Sequence, residues 1–553
     1  MKHLYWKPFH IAITLLLPAA AFAQSSQSGN PLDNAQLHGD FQTDVQSYNA
    51  DPAIGAPVVA EKIRSNTFAN LILTAGRLSA GVRYEAYLPP LQGFDQRYRG
   101  QGVPYCYATY DAGKLAVTVG NFYEQFGSGL IFRAYEERNL GIDTSIDGLR
   151  VRAQPVPGVR LTGLMGKQRF FFDKAPAIVR GFDAEVSLNE LVPGLDSAAT
   201  RLTLGGSFVS KFQEADDPAL VLPENVGAGA VRLALSNGGF VLNAEFARKA
   251  NDPSVANGFI YRFGQSALLT ASYARNGLGV VLGLKRVDNM DFRTDRNGTG
   301  NLNALNFLPA LTKQHTYLLA ASIYPYATQP LGEMSGQLEV TYHLPSGPLG
   351  GKYGTDIALN YSAVNDLDKS LLDDARTTRQ GYESGFFGVG DTRYFRDFNV
   401  EIHRRFTPKL KANAMYAYFV YNKDVVQGLA GFGIIESHLG VLDVAYRLSP
   451  KHSLRGEIQT LQTRRDLGSW AAMLIEYTYS PHFFVTAYDQ YNYGNSVESQ
   501  RIHYLVGQVG YIGGTTRVAL GYGRQRAGIV CVGGVCRFVP ASNGATLSIT
   551  SSF

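Results

Sequence analysis

Residues 544–553 read Gly-Ala-Thr-Leu-Ser-Ile-Thr-Ser-Ser-Phe. In an extended strand, Ala545, Leu547, Ile549, Ser551 and Phe553 share one face, and Thr546, Ser548, Thr550 and Ser552 share the other. The last residue is an aromatic in register with the apolar face. An edge strand of a soluble domain is one reading. The closing strand of a membrane barrel, with Phe553 at the interfacial girdle, is the other.

The opposite end of the chain narrows the choice. Met1–Ala23 reads as a secretory signal peptide. Lys2, His3 and Lys7 make its basic start, Ile11–Ala20 its apolar core, and Ala21-Phe22-Ala23 its cleavage site, with the cut after Ala23. That core is too short to span a bilayer as a helix. No lipobox cysteine follows it. No later segment holds 18 uninterrupted apolar residues, so no transmembrane helix is expected. An exported soluble protein and a bacterial outer-membrane β-barrel remain.

Composition favours the barrel. The chain holds 59 Gly, 32 Tyr and 31 Phe against 3 Cys and 6 Met. Charged residues are 18 %, below the roughly 25 % of soluble domains. Mean hydropathy is −0.10, as for strands that set a lipid face against a wet one. Loss of Lys2 and Lys7 lowers the net charge from +5 to +3. That value suggests no nucleic-acid partner and only a weak bias toward anionic solutes.

Along the chain, residues 24–35 are polar and read as a flexible periplasmic lead-in. Residues 36–553 repeat an alternating run followed by a turn. In Leu78–Leu88, Arg83 and Glu85 fall on one face and Leu78, Val82 and Tyr84 on the other. Charge at the lipid face is costly, so Arg83 and Glu85 are expected to line the pore. The same reasoning turns Arg150, Arg152 and Glu476 inward and Leu149, Val151, Met473 and Ile475 outward.

Short connections are expected at the periplasmic side: 75–77, 111–114, 155–158, 236–239, 407–409, 449–451 and 480–482. Long ones are expected outside the cell: 48–66, 89–103, 123–144, 211–225, 290–313 and 363–392. The expected fold is all-β: one transmembrane antiparallel barrel of about 24 strands, within an even-numbered range of roughly 22–26. Between His315 and Asn360 the in/out parity is off by one strand. The turn at 345–352 fits on either side.

Three stretches carry a resemblance: Gly120-Asn-Phe-Tyr-Glu-Gln-Phe-Gly-Ser-Gly-Leu130, Asp291-Phe-Arg-Thr-Asp295 and Cys531-Val-Gly-Gly-Val-Cys-Arg537. Together they resemble a Bacteroidetes-type outer-membrane barrel family that bears only a domain-of-unknown-function label, over nearly the whole mature chain. The first stretch also resembles a strand-to-loop turn of porin-like barrels. The resemblance implies a barrel fold and an outer-membrane location. It assigns no activity and no functional residues.

Several candidate sites stand out. Cys531 and Cys536 bracket four residues before the last strand. In an oxidising compartment they are expected to form a disulfide, the alternatives being two free thiols or a metal pair. Cys106 is left over within a strand. The stretch 120–144 mixes Glu124, Arg133, Glu136, Glu137 and Arg138 with aromatic residues and with Gly120, Gly127 and Gly129. It reads either as a constriction loop folded into the lumen or as an external loop packed on its neighbours. Asp295, Asn297 and Thr299 partly match a calcium loop, but position twelve is Asn306 rather than Glu, so a Gly-rich turn is expected. No nucleophile elbow and no H-E-x-x-H motif occurs. No enzyme, cofactor or metal is expected.

The leading functional expectation is a porin-like channel for small solutes, because a barrel this wide is not filled by its own side chains. Its partners would be outer-membrane lipid, the barrel assembly machinery, which would read Phe553, and a solute. The alternative is a non-conducting structural or assembly component with a protein partner in the cell envelope. An integral-membrane hydrolase ranks third.

Overall fold

A computed structural model describes residues 35–374 and 378–553. The expected signal peptide, and the lead-in as far as residue 34, lie outside the described residues. Twenty-four strands form one antiparallel sheet that closes on itself. Gln36–Ser47 pairs with Ile63–Ala75 on one edge and with Ser542–Ser552 on the other. In the closing pair Asp40 faces Ser552 and Gln46 faces Thr546. Phe553 continues the ladder, exchanging backbone hydrogen bonds of 2.9 and 3.0 Å with Gly39.

The two faces of the wall differ as alternation demands. Val119, Leu149 and Met165 stand opposite one another on three adjoining strands, and all are exposed. The neighbouring row, Thr118, Arg150 and Leu164, turns inward. Exposed aromatics gather where strands meet the short turns, among them Tyr110, Phe240, Tyr342, Tyr446, Phe483 and Phe553. An apolar outer band edged by aromatics is the surface of a barrel that spans a bilayer. Among the described residues no helix is long and apolar enough to cross a membrane.

The short connections named from the sequence, and the 345–352 turn, all lie at the rim that carries Phe553, here the turn rim. Five of the six expected long loops connect strand ends at the opposite, loop rim. The sixth, 363–392, is instead mostly strand: Thr355–Leu371 and Tyr382–Arg405 stay paired as far as Leu371 opposite Tyr382. Register shifts at Asn365 and Leu367 break its alternation, so the sequence reads as a loop. The parity problem also resolves. Residues 289–331 are one loop with a short helix at Leu318–Ser322, and Gly332–Leu344 is the only strand before the 345–352 turn.

The interior departs from the expected polar lumen. Toward the loop rim much of it is filled by packed apolar side chains. Phe126, Leu130, Ile131 and Phe132 are at most 1 % exposed and pack with Met290, Phe292 and Leu305 against inward-facing Val179, Val209 and Val287. A second cluster sets Leu319, Ile323 and Tyr326 against Phe395, Tyr421 and Trp470 of the wall. Two connections, 123–145 and 289–331, have therefore folded into the barrel, because their apolar runs gain more there than in water. Toward the turn rim the wall stays polar, with Arg232 on Asp183 and Arg455 on Asp443 and Glu457.

Gly39 leaves room for the Phe553 ring: a Cβ there would lie 2.4 Å from the ring and 2.8 Å from the Asn70 carbonyl oxygen. Gly39→Val should overpack this seam, cost about 1–3 kcal/mol and lower the temperature at which the heat-modifiable gel band converts. An unchanged conversion temperature would refute this account of closure.

Candidate functional site

The loop at 123–145 is built from two small hairpins. Glu124–Gln125 pairs with Arg133–Ala134, and Glu136–Glu137 pairs with Ile142–Asp143. Between the second pair, Arg138–Leu140 makes a 3-10 turn, with Asn139 N–H donating to the Glu137 carboxylate at 3.1 Å. Gly127 and Gly129 carry φ of +54° and +94°, so the first hairpin turns sharply inside the barrel. Its tip is tied to the far wall: Ser128 N–H and Oγ both donate to Glu245, at 2.7 and 2.6 Å. A Cβ on Gly127 would lie 2.6 Å from the same carboxylate.

The base of the loop is held by a buried charge network. Arg83 lies 2.7 Å from Glu85, 3.0 Å from Glu136, and in contact with Asp143. Arg169 donates to both oxygens of Glu85, at 2.8 and 2.6 Å, and to Asp143 at 2.6 Å. Arg138 closes the set on Glu136 at 2.9 Å. Three arginines thus meet three carboxylates. Tyr123 Oη adds a hydrogen bond to Asp143 at 3.0 Å. Burial by itself would raise the Asp143 carboxyl, but Arg169 and Arg83, with the Ser145 N–H, hold it below the usual carboxylate value.

Arg83, expected with Glu85 to line the pore, borders a lumenal pocket but is largely covered, as Glu85 is. Both face inward, the loop covers them to 3 % and 1 % exposure, and their charge is spent on the loop. Arg150 and Arg152 both reach Glu124, at 3.5 and 2.7 Å. Arg133 stacks between the rings of Tyr135 and Phe307, at 4.3 and 4.1 Å. Glu476 is half-buried and stands opposite Arg455 in the register. The sequence reading missed Arg169, Asp143 and Glu245. Its available signal was the apolar run Leu130-Ile131-Phe132 in a supposed loop, which is costly to leave in water.

Two cavities share this loop as a wall. One, of about 800 Å³, opens toward the loop rim and touches Tyr135, Ile142 and Thr144. The other, of about 450 Å³, lies in the lumen and touches Tyr123, Glu136, Arg138 and Arg150. The segment from Tyr135 to Thr144 therefore stands between an outer vestibule and an inner polar pocket.

The remaining candidates are simpler. Cys531 and Cys536 form a disulfide across the hairpin of Gly528–Val532 and Val535–Val539, at the edge of the vestibule. Cys106 is exposed on the wall, opposite Val82. Asp295 accepts the Asn297 N–H at 3.0 Å and closes a tight turn. Among the described residues no group of three His, Cys, Asp or Glu is placed to hold a metal ion.

Asp143→Asn should cost about 3–5 kcal/mol, the usual effect of orphaning buried charges, read as a lower unfolding temperature at pH 6. Because the folded carboxyl titrates below its unfolded value of about 3.9, its stabilisation is full above that pH and is lost as pH falls through the folded value. The wild type should lose stability below about pH 4 and the variant much less. Equal acid loss in both would remove Asp143 from this role. Cys531→Ser with Cys536→Ser should leave barrel melting unchanged while raising hydrogen exchange across 526–541. A large fall in melting temperature would show instead that the disulfide supports the barrel wall.

No curated protein matches the chain. Among solved structures, it is similar to the P pilus usher (PapC) translocation pore, with a TM-score of 0.44 and 10 % identity over 94 % of this chain and 99 % of that one. It is similar to the siderophore receptor PirA from Pseudomonas aeruginosa, with a TM-score of 0.41 and 10 % identity over 94 % and 80 %. It is also similar to a BenF-like porin from Pseudomonas fluorescens Pf-5, with a TM-score of 0.36 and 12 % identity over 95 % and 100 %. Residues 7–553 match the model of a family of unknown function, DUF6029, and the chain belongs to that family.

Proposed function

We propose that the protein is a porin-like passage for small solutes in the outer membrane, restricted by its own 123–145 loop. The carrying observation is the shared wall: one short segment, Tyr135–Thr144, divides the outer vestibule from the polar lumenal pocket. Two carboxylates anchor the loop that carries this divider, Glu245 at the tip of the first hairpin and Asp143 within the divider itself. Both are discrete contacts that a solute or a field can exchange for others, which a fully packed scaffold would not need. Beyond the divider, Arg150, Arg152 and Glu476 are the proposed pore-lining charges.

In this reading the signal peptide is cut after Ala23, Phe553 is read by the barrel assembly machinery, and the loop rim faces outward. The Bacteroidetes-type relationship belongs to the same proposal and supplies no step of it. We assign no catalytic role. A second reading, a non-conducting envelope component, is favoured by the packing of Leu319, Ile323 and Tyr326 against the wall.

Planar-bilayer recording separates the two. The passage predicts small or brief conductance steps in the wild type and a several-fold rise in open time for Glu245→Gln and for Asp143→Asn. No conductance from the wild type or either variant, with the barrel folded on a gel, would reject the passage and favour the envelope component.

A further inference from the structure

The register places an arginine on the membrane side of the wall. Val231, Phe246, Ala267, Arg286 and Met334 stand opposite one another on five adjoining strands. The alternate row on the same strands holds Glu245, which binds the inward loop, and Lys285, which binds the Pro309 carbonyl oxygen of another inward loop. The Arg286 row is therefore the outer face, and exposed Val231 and Phe246 fit that placement. One row nearer the loop rim stand Arg248 and Asp288, with Gln265 between them.

The charges here do not balance. Asp288 receives Arg262 and Arg286, each at 3.1 Å, and Ser384 Oγ at 2.7 Å. Arg248 has no carboxylate partner among the described residues and lies over the Phe263 ring at 4.6 Å. Two arginines thus share one aspartate near the loop rim, with a third, unpaired arginine two strands away. Arg286 is 3 % exposed, and its Nε and Nη1 have no acceptor. A buried, under-neutralised cation at a lipid face is expensive unless an anion completes it.

Below these charges the wall is shaped for a hydrocarbon chain. A groove of about 600 Å³ runs past Phe246, Leu284 and Arg286. The bent end of the Tyr382–Arg405 strand roofs it. There Phe386 lies 6.2 Å from Phe246 and 5.2 Å from the Arg286 guanidinium, and Phe387 is 85 % exposed. A second groove, of about 730 Å³, flanks Arg248 between Phe208 and Phe263.

We propose that this face binds a phosphate-bearing membrane lipid of the leaflet at the loop rim. An acyl chain lies in the groove under Phe386, and the phosphate meets Arg248 and Arg286. Guanidinium forks suit a phosphate because they offer paired donors as well as charge. The site is on the outer wall, so it stands whether or not the lumen conducts.

The test uses the purified full barrel, incubated in detergent with phosphatidylglycerol or with diacylglycerol of the same chains. Lipid retention is then read by native mass spectrometry. The wild type should retain phosphatidylglycerol over diacylglycerol, and Arg286→Gln and Arg248→Gln should each cut that preference by about tenfold. Arg180→Gln, an exposed outer-wall arginine elsewhere, should keep it. Should Arg286→Gln fail to fold, Arg248→Gln still decides, because Arg248 is exposed and outside the ion-paired set. Equal retention of the two lipids by the wild type, or wild-type retention by Arg248→Gln, would overturn the proposal.

Discussion

A strand edge left open inside a bilayer exposes backbone groups that nothing there can satisfy, at several kcal/mol each. The sheet must therefore close, and the pairing of Gln36–Ser47 with Ser542–Ser552 is the contact on which the rest depends. Closure at 24 strands fixes a wide interior. That width creates the second problem, since wall side chains alone cannot fill it. The chain answers with its own connections. The loops at 123–145 and 289–331 turn inward and carry the apolar runs that the wall residues need as partners.

Filling the barrel brings charge into a packed interior. The loop at 123–145 bears acidic and basic residues as well as Phe126 and Phe132, and its charges are covered as its aromatics pack. The fold meets this by balancing them. Arg83, Arg138 and Arg169 meet Glu85, Glu136 and Asp143 within one network. Such a network contributes little net stability compared with an apolar core of equal volume, but breaking it is costly. It specifies where the loop sits. The same accounting makes the outer-wall cluster around Asp288 conspicuous, because there the cations are in excess.

Much of the wall was legible in the sequence, because a strand between lipid and an inner face has to alternate. Leu149 out and Arg150 in, or Met473 out and Glu476 in, follow from the cost of charge at a lipid face. Prolines and glycines mark the turns for backbone reasons that hold in any context. Legibility failed where tertiary contact decided the outcome. The 363–392 stretch pairs through bulges, which shift the period mid-strand. The 315–331 stretch offers apolar residues that suit a strand, yet they pack inside the barrel as part of a loop. For the site, Arg83 and Glu85 were identifiable as inward charges. Their true partners were not, since Asp143 and Arg169 are distant in sequence and meet only when the loop folds in.

The central claim is that 123–145 and 289–331 are interior elements rather than surface loops. Hydrogen exchange of the full barrel in lipid bilayers tests it directly. The account predicts that amides around Phe126–Phe132 and Met290–Leu305 exchange slowly, on the scale of the barrel strands, and more slowly than the 423–433 connection at the same rim. Rapid exchange throughout both stretches, matching 423–433, would contradict it and return the barrel to an open lumen with external loops.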